Sequence, residues 1–294
     1  MDSCELLIVG GGAAGIAAAK AAAGAGVESI VLAEHGSGLG GVLLQCSHNG
    51  FGDGLTGPEY ISEMLPDFPE NVKVLTKTTV LKIDREKSAL LSGEGTGLRR
   101  LRFEEFILAS GCREIAAGEL ELYGSRPQGV YTAGEAQKLL NLRGKIPEGP
   151  AVILGSGDLG LIMSAHLSGA GVEIAALVEK KDHCGGMERN RRGLESYEVP
   201  LICGATIDRI YGEKQLEAVG LRYLNTGERK ILSCRSLLLA VGYRPERELL
   251  RGLDGVDWIQ LCGNCKNIHP RIEGVVAQGK KAGEAAWEKI RGRR

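Results

Sequence analysis

The chain has 294 residues, 43% apolar and 25% charged, and a formal net charge of −1. That is enough chain for one large or two ordinary domains with a sizeable core, and the charge balance gives no electrostatic basis for binding nucleic acid. The 44 glycines are about twice the usual share and call for turns or close backbone approaches.

The opening residues MDSCELLIVG carry no basic region before an apolar run, so no secretory leader is expected. Residues 13–33 are rich in Ala and Gly but contain Lys20 and Glu28, which reads as helix plus strand and not as a membrane span. The eight cysteines are scattered, unlike the dense framework of a small secreted domain. Reduced thiols in a cytoplasm are the expectation.

Residues 6–9 read as a buried parallel strand. Gly10, Gly12 and Gly15 follow in G-x-G-x-x-G spacing, then an Ala-rich helix over about 13–25 that includes Ala13 and Ala14, then a strand over 29–33 closed by Glu34. The same pattern returns later: a strand over 151–154, then Gly155, Gly157 and Gly160 enclosing Asp158 and Leu159, a helix, a strand over 173–178, and Glu179. The interval from first glycine to acid is the same in both copies. In this motif the first glycine permits a tight turn, the second lets backbone approach a diphosphate, and the third lets helix pack on strand. The helix N-terminus offers free N–H groups to phosphate, and the acid accepts ribose hydroxyls. Two such sites in one chain imply two dinucleotides and electron transfer between them. Between and after the fingerprints, residues 72–108 and 200–239 alternate and turn like two β-meanders.

With these motifs in place, the chain resembles the pyridine nucleotide-disulfide oxidoreductase superfamily, whose first copy binds FAD and whose inserted second copy binds NAD(P)H. The resemblance rests on the fingerprints, on ILASGCRE (107–114), on LLLAVGYRPERELL (237–250), and on the segment from 261 that begins LCGNC. It implies an α/β protein of two Rossmann-like domains with β-meanders, the NAD(P) domain (114–247) inserted in the FAD domain (1–113 and 248–294), and no separate C-terminal dimerisation domain. For FAD it implies Gly10, Gly12, Ala13, Ala14, Gly15, Glu34, His35, Gly40, Gly41, Val42, Gln45, Asn49, Val80, Ala109, Ser110, Gly111, Gly263 and Asn264. Asn264 stands where the family usually has Asp. For NAD it implies Gly155, Gly157, Asp158, Leu159, Gly160, Glu179 and Gly242. Glu179 favours NAD(H) over NADP(H), because a carboxylate repels a 2′-phosphate, while Lys180 and Lys181 could bind one.

GGVLLQCSHNGFG (40–52), LTGPEY, GVYTAGEAQKLLN (129–141) and VEKKDHCGGMERN (178–190) resemble a narrower bacterial branch. It is associated with glycerol-3-phosphate dehydrogenases and dye-linked proline, hydroxyproline and opine dehydrogenases. The implied partner is a substrate-oxidising flavoprotein subunit or a small redox protein. Disulfide reductases of the superfamily keep a cysteine pair either in the loop after GG or just before the second fingerprint. The first place holds only Cys46, and the second holds none. Cys46 with His48 could form an acid–base or nucleophilic pair, or the loop could simply wrap the flavin. Cys262 and Cys265 form a C-x-x-C with no second pair to complete a four-cysteine metal site. They leave disulfide reduction open as one alternative, and a non-catalytic nucleotide-binding subunit is another.

Overall fold

The computed structural model describes residues 2–95 and 97–293. The chain divides into two compact units: one runs up to Arg113 and resumes at Arg244, and the other is Glu114–Tyr243. The sequence reading put the second crossing four residues later, between 247 and 248. Among the described residues there are six α-helices: α1 (Ala13–Ala25), α2 (Gly57–Met64), α3 (Ala133–Arg143), α4 (Asp158–Gly169), α5 (Glu188–Ser196) and α6 (Ile272–Arg291).

The first unit is built on a seven-stranded sheet among the described residues, in the order Val72–Leu75, Ile30–Ala33, Asp2–Val9, Gly97–Leu108, Ser88–Gly93, Thr78–Ile83; Ile259–Leu261 also pairs with Gly97–Leu108. Val72–Leu75, Ile30–Ala33, Asp2–Val9 and Ile259–Leu261 run parallel within it, and the hairpins of Ser88–Gly93 are antiparallel. Gly97–Leu108 serves both parts. From Arg100 to Glu104 it alternates exposed and buried positions, as a sheet with one wet face requires, and its last four residues are all buried, as a strand covered on both faces requires. The segment over 72–108 is therefore not one meander: its first strand and the end of its last belong to the parallel sheet. The same division holds in the second unit. Leu201–Ile202 and Ser236–Leu239 join Ile174–Val178, Ala151–Leu154 and Val130–Thr132 in a parallel sheet, while Ala205–Tyr211, Ala218–Tyr223 and Arg229–Ser233 form the antiparallel part, to which Tyr123–Gly124 adds parallel to Ala205–Tyr211.

The first unit's parallel strands are apolar on both faces. Leu6, Ile8, Ile30, Leu32 and Ile107 pack toward α1 and α6, while Leu7, Val31, Ala33, Phe106 and Leu108 pack on the opposite side with Phe103 and Trp258. The excess of Gly and Ala finds its use where α1 meets α6. A Cβ on Gly279 would lie 2.3 Å from the Ala14 carbonyl oxygen, and one on Gly283 would lie 2.3 Å from that of Ala18. The two helix backbones are thus in contact, which only small residues allow. The end of α6 is fixed by a buried carboxylate: Glu105 meets Arg293 Nη1 at 2.6 Å and Lys289 Nζ at 3.9 Å. Burial pushes Glu105 above the ordinary carboxylate range, and the two cations oppose that shift.

Replacing Gly283 by Val should force α1 and α6 apart and cost about 1–3 kcal/mol, measured as a lower urea midpoint at unchanged slope. Gly24→Ala, at a helical position where nothing lies within 4 Å of the added Cβ, should instead be neutral or stabilising by up to about 1 kcal/mol.

Candidate functional site

The first cradle starts where Asp2–Val9 ends. Gly10 has φ +107°, and a Cβ there would lie 2.3 Å from the Ala109 carbonyl oxygen. Gly15 sits so close to that turn that its Cβ would fall 1.8 Å from Gly10 O. Between them, Gly12 caps α1 in an extended conformation without any side-chain cap, and nothing lies within 4 Å of where its Cβ would point. The first N–H groups of α1 therefore border open space, which suits a diphosphate. Glu34 is 3% exposed. Its Oε2 accepts from Gly11 N–H at 2.7 Å and its Oε1 from Gly36 N–H at 2.6 Å, while exposed His35 approaches Oε1 at 3.0 Å. Thr78 N–H donates to the Glu34 carbonyl at 2.9 Å, which brings the strand carrying half-buried Val80 beside this acid.

Three more segments converge on the start of α1. Gly40 N–H donates to Gly11 O at 2.8 Å, and a Cβ on Gly41 would lie 3.2 Å from Gly12 Cα. Ala109 N–H donates to Val9 O at 2.8 Å and leads to Ser110, whose Oγ donates to Glu246 O at 2.6 Å, and to Gly111 at φ +75°. The turn Gly263–Cys265 rests on α1, since a Cβ on Gly263 would lie 2.7 Å from that of Ala14. Asn264 Oδ1 accepts from His269 N–H at 3.0 Å, which leaves its amide N–H groups as the donors it can offer elsewhere. This cradle takes residues from both sides of the inserted unit.

In the loop over 40–57, Val42 and Asn49 are exposed and Gln45 is half-buried. Cys46 is turned inward. Its thiol donates to Val42 O at 3.4 Å, Gly57 N–H donates to its carbonyl at 2.8 Å, and burial pushes it up to about 11. It is therefore a neutral packed thiol at physiological pH, whereas a nucleophile would need a thiolate. His48 is half-buried, with its ring 5.2 Å from that of Phe51. Cys262 and Cys265 are fully buried free thiols. Cys265 donates to Leu108 O at 3.0 Å and Cys262 O at 3.1 Å. Burial raises both, Cys262 to about 12.

The second cradle repeats the first. Gly155 has φ +104° and a Cβ position 2.3 Å from Ala240 O; that of Gly160 is 2.1 Å from Gly155 O; Gly157 caps α4 and opens on empty space. Glu179 Oε2 accepts from Ser156 N–H at 2.9 Å and Oγ–H at 2.6 Å, and its Oε1 accepts from Lys181 N–H at 2.9 Å. The donors stand at the same offsets as those of Glu34. Burial alone would raise Glu179, but the bonds from Lys181 and Ser156 outweigh it and hold the carboxyl below its ordinary range. Leu159 packs against the core, and Gly242, at φ +124°, accepts from Ile115 N–H at 3.1 Å.

Asp158 opens α4, so its backbone N–H is among the first of the helix. Its Oδ1 accepts from Met187 N–H at 2.7 Å and Asn190 Nδ2 at 2.6 Å, so its side chain holds a protein loop. The sequence singled out this segment, VEKKDHCGGMERN, but not its place against the start of α4. Gly185 and Gly186 follow Glu179 at the interval at which Gly40 and Gly41 follow Glu34, and this repeat was the available sign.

Two parallel-sheet units, each with a glycine-lined helix start and an acid beside it, define a two-dinucleotide α/β protein, and the residues present fit such ligands. The model for the pyridine nucleotide-disulphide oxidoreductase family matches residues 4–261. The chain belongs to that family, one of FAD-dependent oxidoreductases that work with a nicotinamide cofactor. It is 29% identical over 260 residues to the alpha subunit of sarcosine oxidase from Rhizobium meliloti (strain 1021), covering 82% of this chain and 24% of that one. It is 31% identical over 189 residues to one subunit of the opine oxidase of Agrobacterium tumefaciens (strain Ach5), covering 58% of this chain and 36% of that one. The chain thus spans about a quarter and about a third of these curated relatives. The crystal structure of Lactococcus lactis thioredoxin reductase shares the fold, with a TM-score of 0.80 at 17% identity, covering 98% of this chain and 99% of that one. Among the described residues, no helix is long and apolar enough to cross a membrane.

Iodoacetamide at neutral pH should modify half-buried Cys112 and Cys184 roughly tenfold or more faster than Cys46, Cys262 or Cys265 in the folded protein. Mass spectrometry of timed digests reads this out. Fast labelling of Cys46 would contradict its packed, protonated state.

Proposed function

We propose that the chain is an FAD-dependent NAD(P)H oxidoreductase subunit: the unit that begins and ends the chain holds FAD, the inserted unit takes a nicotinamide dinucleotide, and electrons pass between them and a partner. The observation that carries this reading is the pair of matching cradles in one chain, each with an open helix N-terminus and an acid bonded to the fingerprint backbone. When bound, flavin exchanges a two-electron hydride with nicotinamide and releases electrons singly, the chemistry a relay needs.

The chain's own residues supply binding and orientation. The first N–H groups of α1 and α4 meet the diphosphates, and Gly12 and Gly157 keep the approach clear. Glu34 Oε2 and Glu179 Oε1 each accept from one protein donor and retain acceptor capacity, which serves ribose hydroxyls. Glu179 is held ionised, so it repels a 2′-phosphate and favours NADH. Gly263 and Asn264 close the first cradle beside α1, and Asn264 donates where an acid would only accept.

The similarity to components of sarcosine and opine oxidases supports the branch associated with dye-linked dehydrogenases of proline, hydroxyproline and opines and with glycerol-3-phosphate dehydrogenases. The partner is then a substrate-oxidising flavoprotein subunit or a small redox protein. Free cysteines support a reducing, cytoplasmic setting. A second reading, disulfide reduction, has the thioredoxin reductase fold in its favour. Against it stand the absence of cysteine over 129–141 and the burial of Cys262 and Cys265.

Anaerobic titration of the purified chain should bleach the flavin band with NADH at lower concentration than with NADPH. Glu179→Ala should raise the NADH concentration required by roughly tenfold or more. A yellow protein that neither nucleotide bleaches would point instead to a non-catalytic nucleotide-binding subunit. Cys262→Ser with Cys265→Ser should leave dye reduction intact, and loss of a wild-type disulfide-reducing activity in that double variant would establish the second reading.

A further inference from the structure

Helix α5 has no fully buried residue; Leu194 packs half-buried against the core, and a charged side chain fixes the loop that precedes the helix. Arg191 turns back on the loop before the helix and binds three successive carbonyls: Nε donates to Gly185 O at 3.1 Å, and Nη2 to Cys184 O at 3.0 Å and Gly186 O at 3.2 Å. The same loop is fixed to the second fingerprint from its other side. Gly185 N–H donates to Ser156 Oγ at 2.7 Å, and that hydroxyl donates to Glu179. Met187 and Asn190 donate to Asp158 at the first position of α4. At Gly186, φ is +65°, and a Cβ would lie 2.5 Å from Leu161 Cδ1 and 3.2 Å from Asp158 N. The loop backbone therefore runs against the start of α4, while Gly157 beside it still opens on free space. It forms a wall of the cradle and does not plug it.

We propose that Arg191 is a positioning residue for the second nucleotide: it holds residues 184–186 beside the N-terminus of α4 and so sets affinity for the nicotinamide dinucleotide. The inference rests on the reading of that cradle given above. A guanidinium suits the task because its planar fork carries several donors in fixed directions. It also offsets the negative ends of three carbonyls gathered near the place a diphosphate would occupy. The hydrogen-bonded path from Gly185 through Ser156 to Glu179 couples the loop's position to the acid that faces the ribose. In the first cradle, Gly40 is held on the fingerprint by a direct backbone bond to Gly11; in the second, side chains do that work.

The test measures NADH affinity of the flavin-loaded protein by flavin quenching or bleaching, for the wild type, Arg191→Gln and Arg191→Lys. Both variants should bind NADH roughly tenfold more weakly with an unchanged flavin spectrum, because lysine keeps the charge but not the fork. Ethylguanidinium in solution should restore much of the affinity of Arg191→Gln. Gly186→Ala, which displaces the same loop from within, should weaken binding in the same direction and keeps the question answerable if an Arg191 variant fails to fold. Unchanged affinity in Arg191→Gln, or full recovery in Arg191→Lys, overturns the assignment alone. A wild-type protein that binds neither NADH nor NADPH overturns the reading of the cradle together with it.

Discussion

The carbonyl oxygen of Gly10 lies where any side chain on Gly15 would have to go, and Gly155 and Gly160 repeat that contact. This approach of helix start to strand end is the constraint on which both units depend. It fixes the direction in which α1 and α4 leave their sheets, and hence where their unbonded N–H groups point. A larger residue at the third glycine would tilt the helix away and remove the cradle, whatever the remaining residues did. The turn at the first glycine is constrained too, because the carbonyl of Ala109 or Ala240 occupies the space of its missing Cβ.

The two acids extend this constraint outward. Glu34 and Glu179 each bind the N–H one residue past the first glycine and the N–H two residues past themselves. Each carboxylate thus ties the first turn of its unit to the end of the second strand before any ligand arrives. Such preorganisation lowers the ordering cost of binding. Burial alone would raise Glu179, but the same bonds that brace the turn hold its carboxyl below the ordinary range.

The glycine spacing, the acids and both parallel cores were legible in the sequence because each expresses a local rule: a period, an interval, a run of buried residues. The meanders were legible only in part. Residues 100–104 alternate within a strand that finishes fully buried, and the change depends on partners distant in sequence. The contact of Gly279 and Gly283 with α1 was not legible, since it needs the two ends of the chain brought together. For Cys46 the sequence left two readings open, a chemical role or a packed loop residue, and its burial, which raises the thiol to about 11, comes from tertiary partners the sequence does not name. The bonds from Met187 and Asn190 to one oxygen of Asp158 were likewise not legible, since its place in the fingerprint does not name those partners.

The cradles differ in how far along the chain their parts are drawn, and that difference has an energetic consequence. The second draws on residues within the inserted unit, from Gly155 to Gly242. The first needs Gly10, Glu34 and Gly111 from before the insertion and Gly263 and Asn264 from after it, held together by the α1–α6 contact and by Glu105 with Arg293. A ligand that binds the assembled first cradle and not its separated halves stabilises the joining of the two chain ends by mass action. Ligation of the second cradle stabilises only the unit that contains it. Occupancy of the first cradle is thereby coupled to the integrity of the discontinuous unit, whereas the second cradle is complete within one stretch of chain.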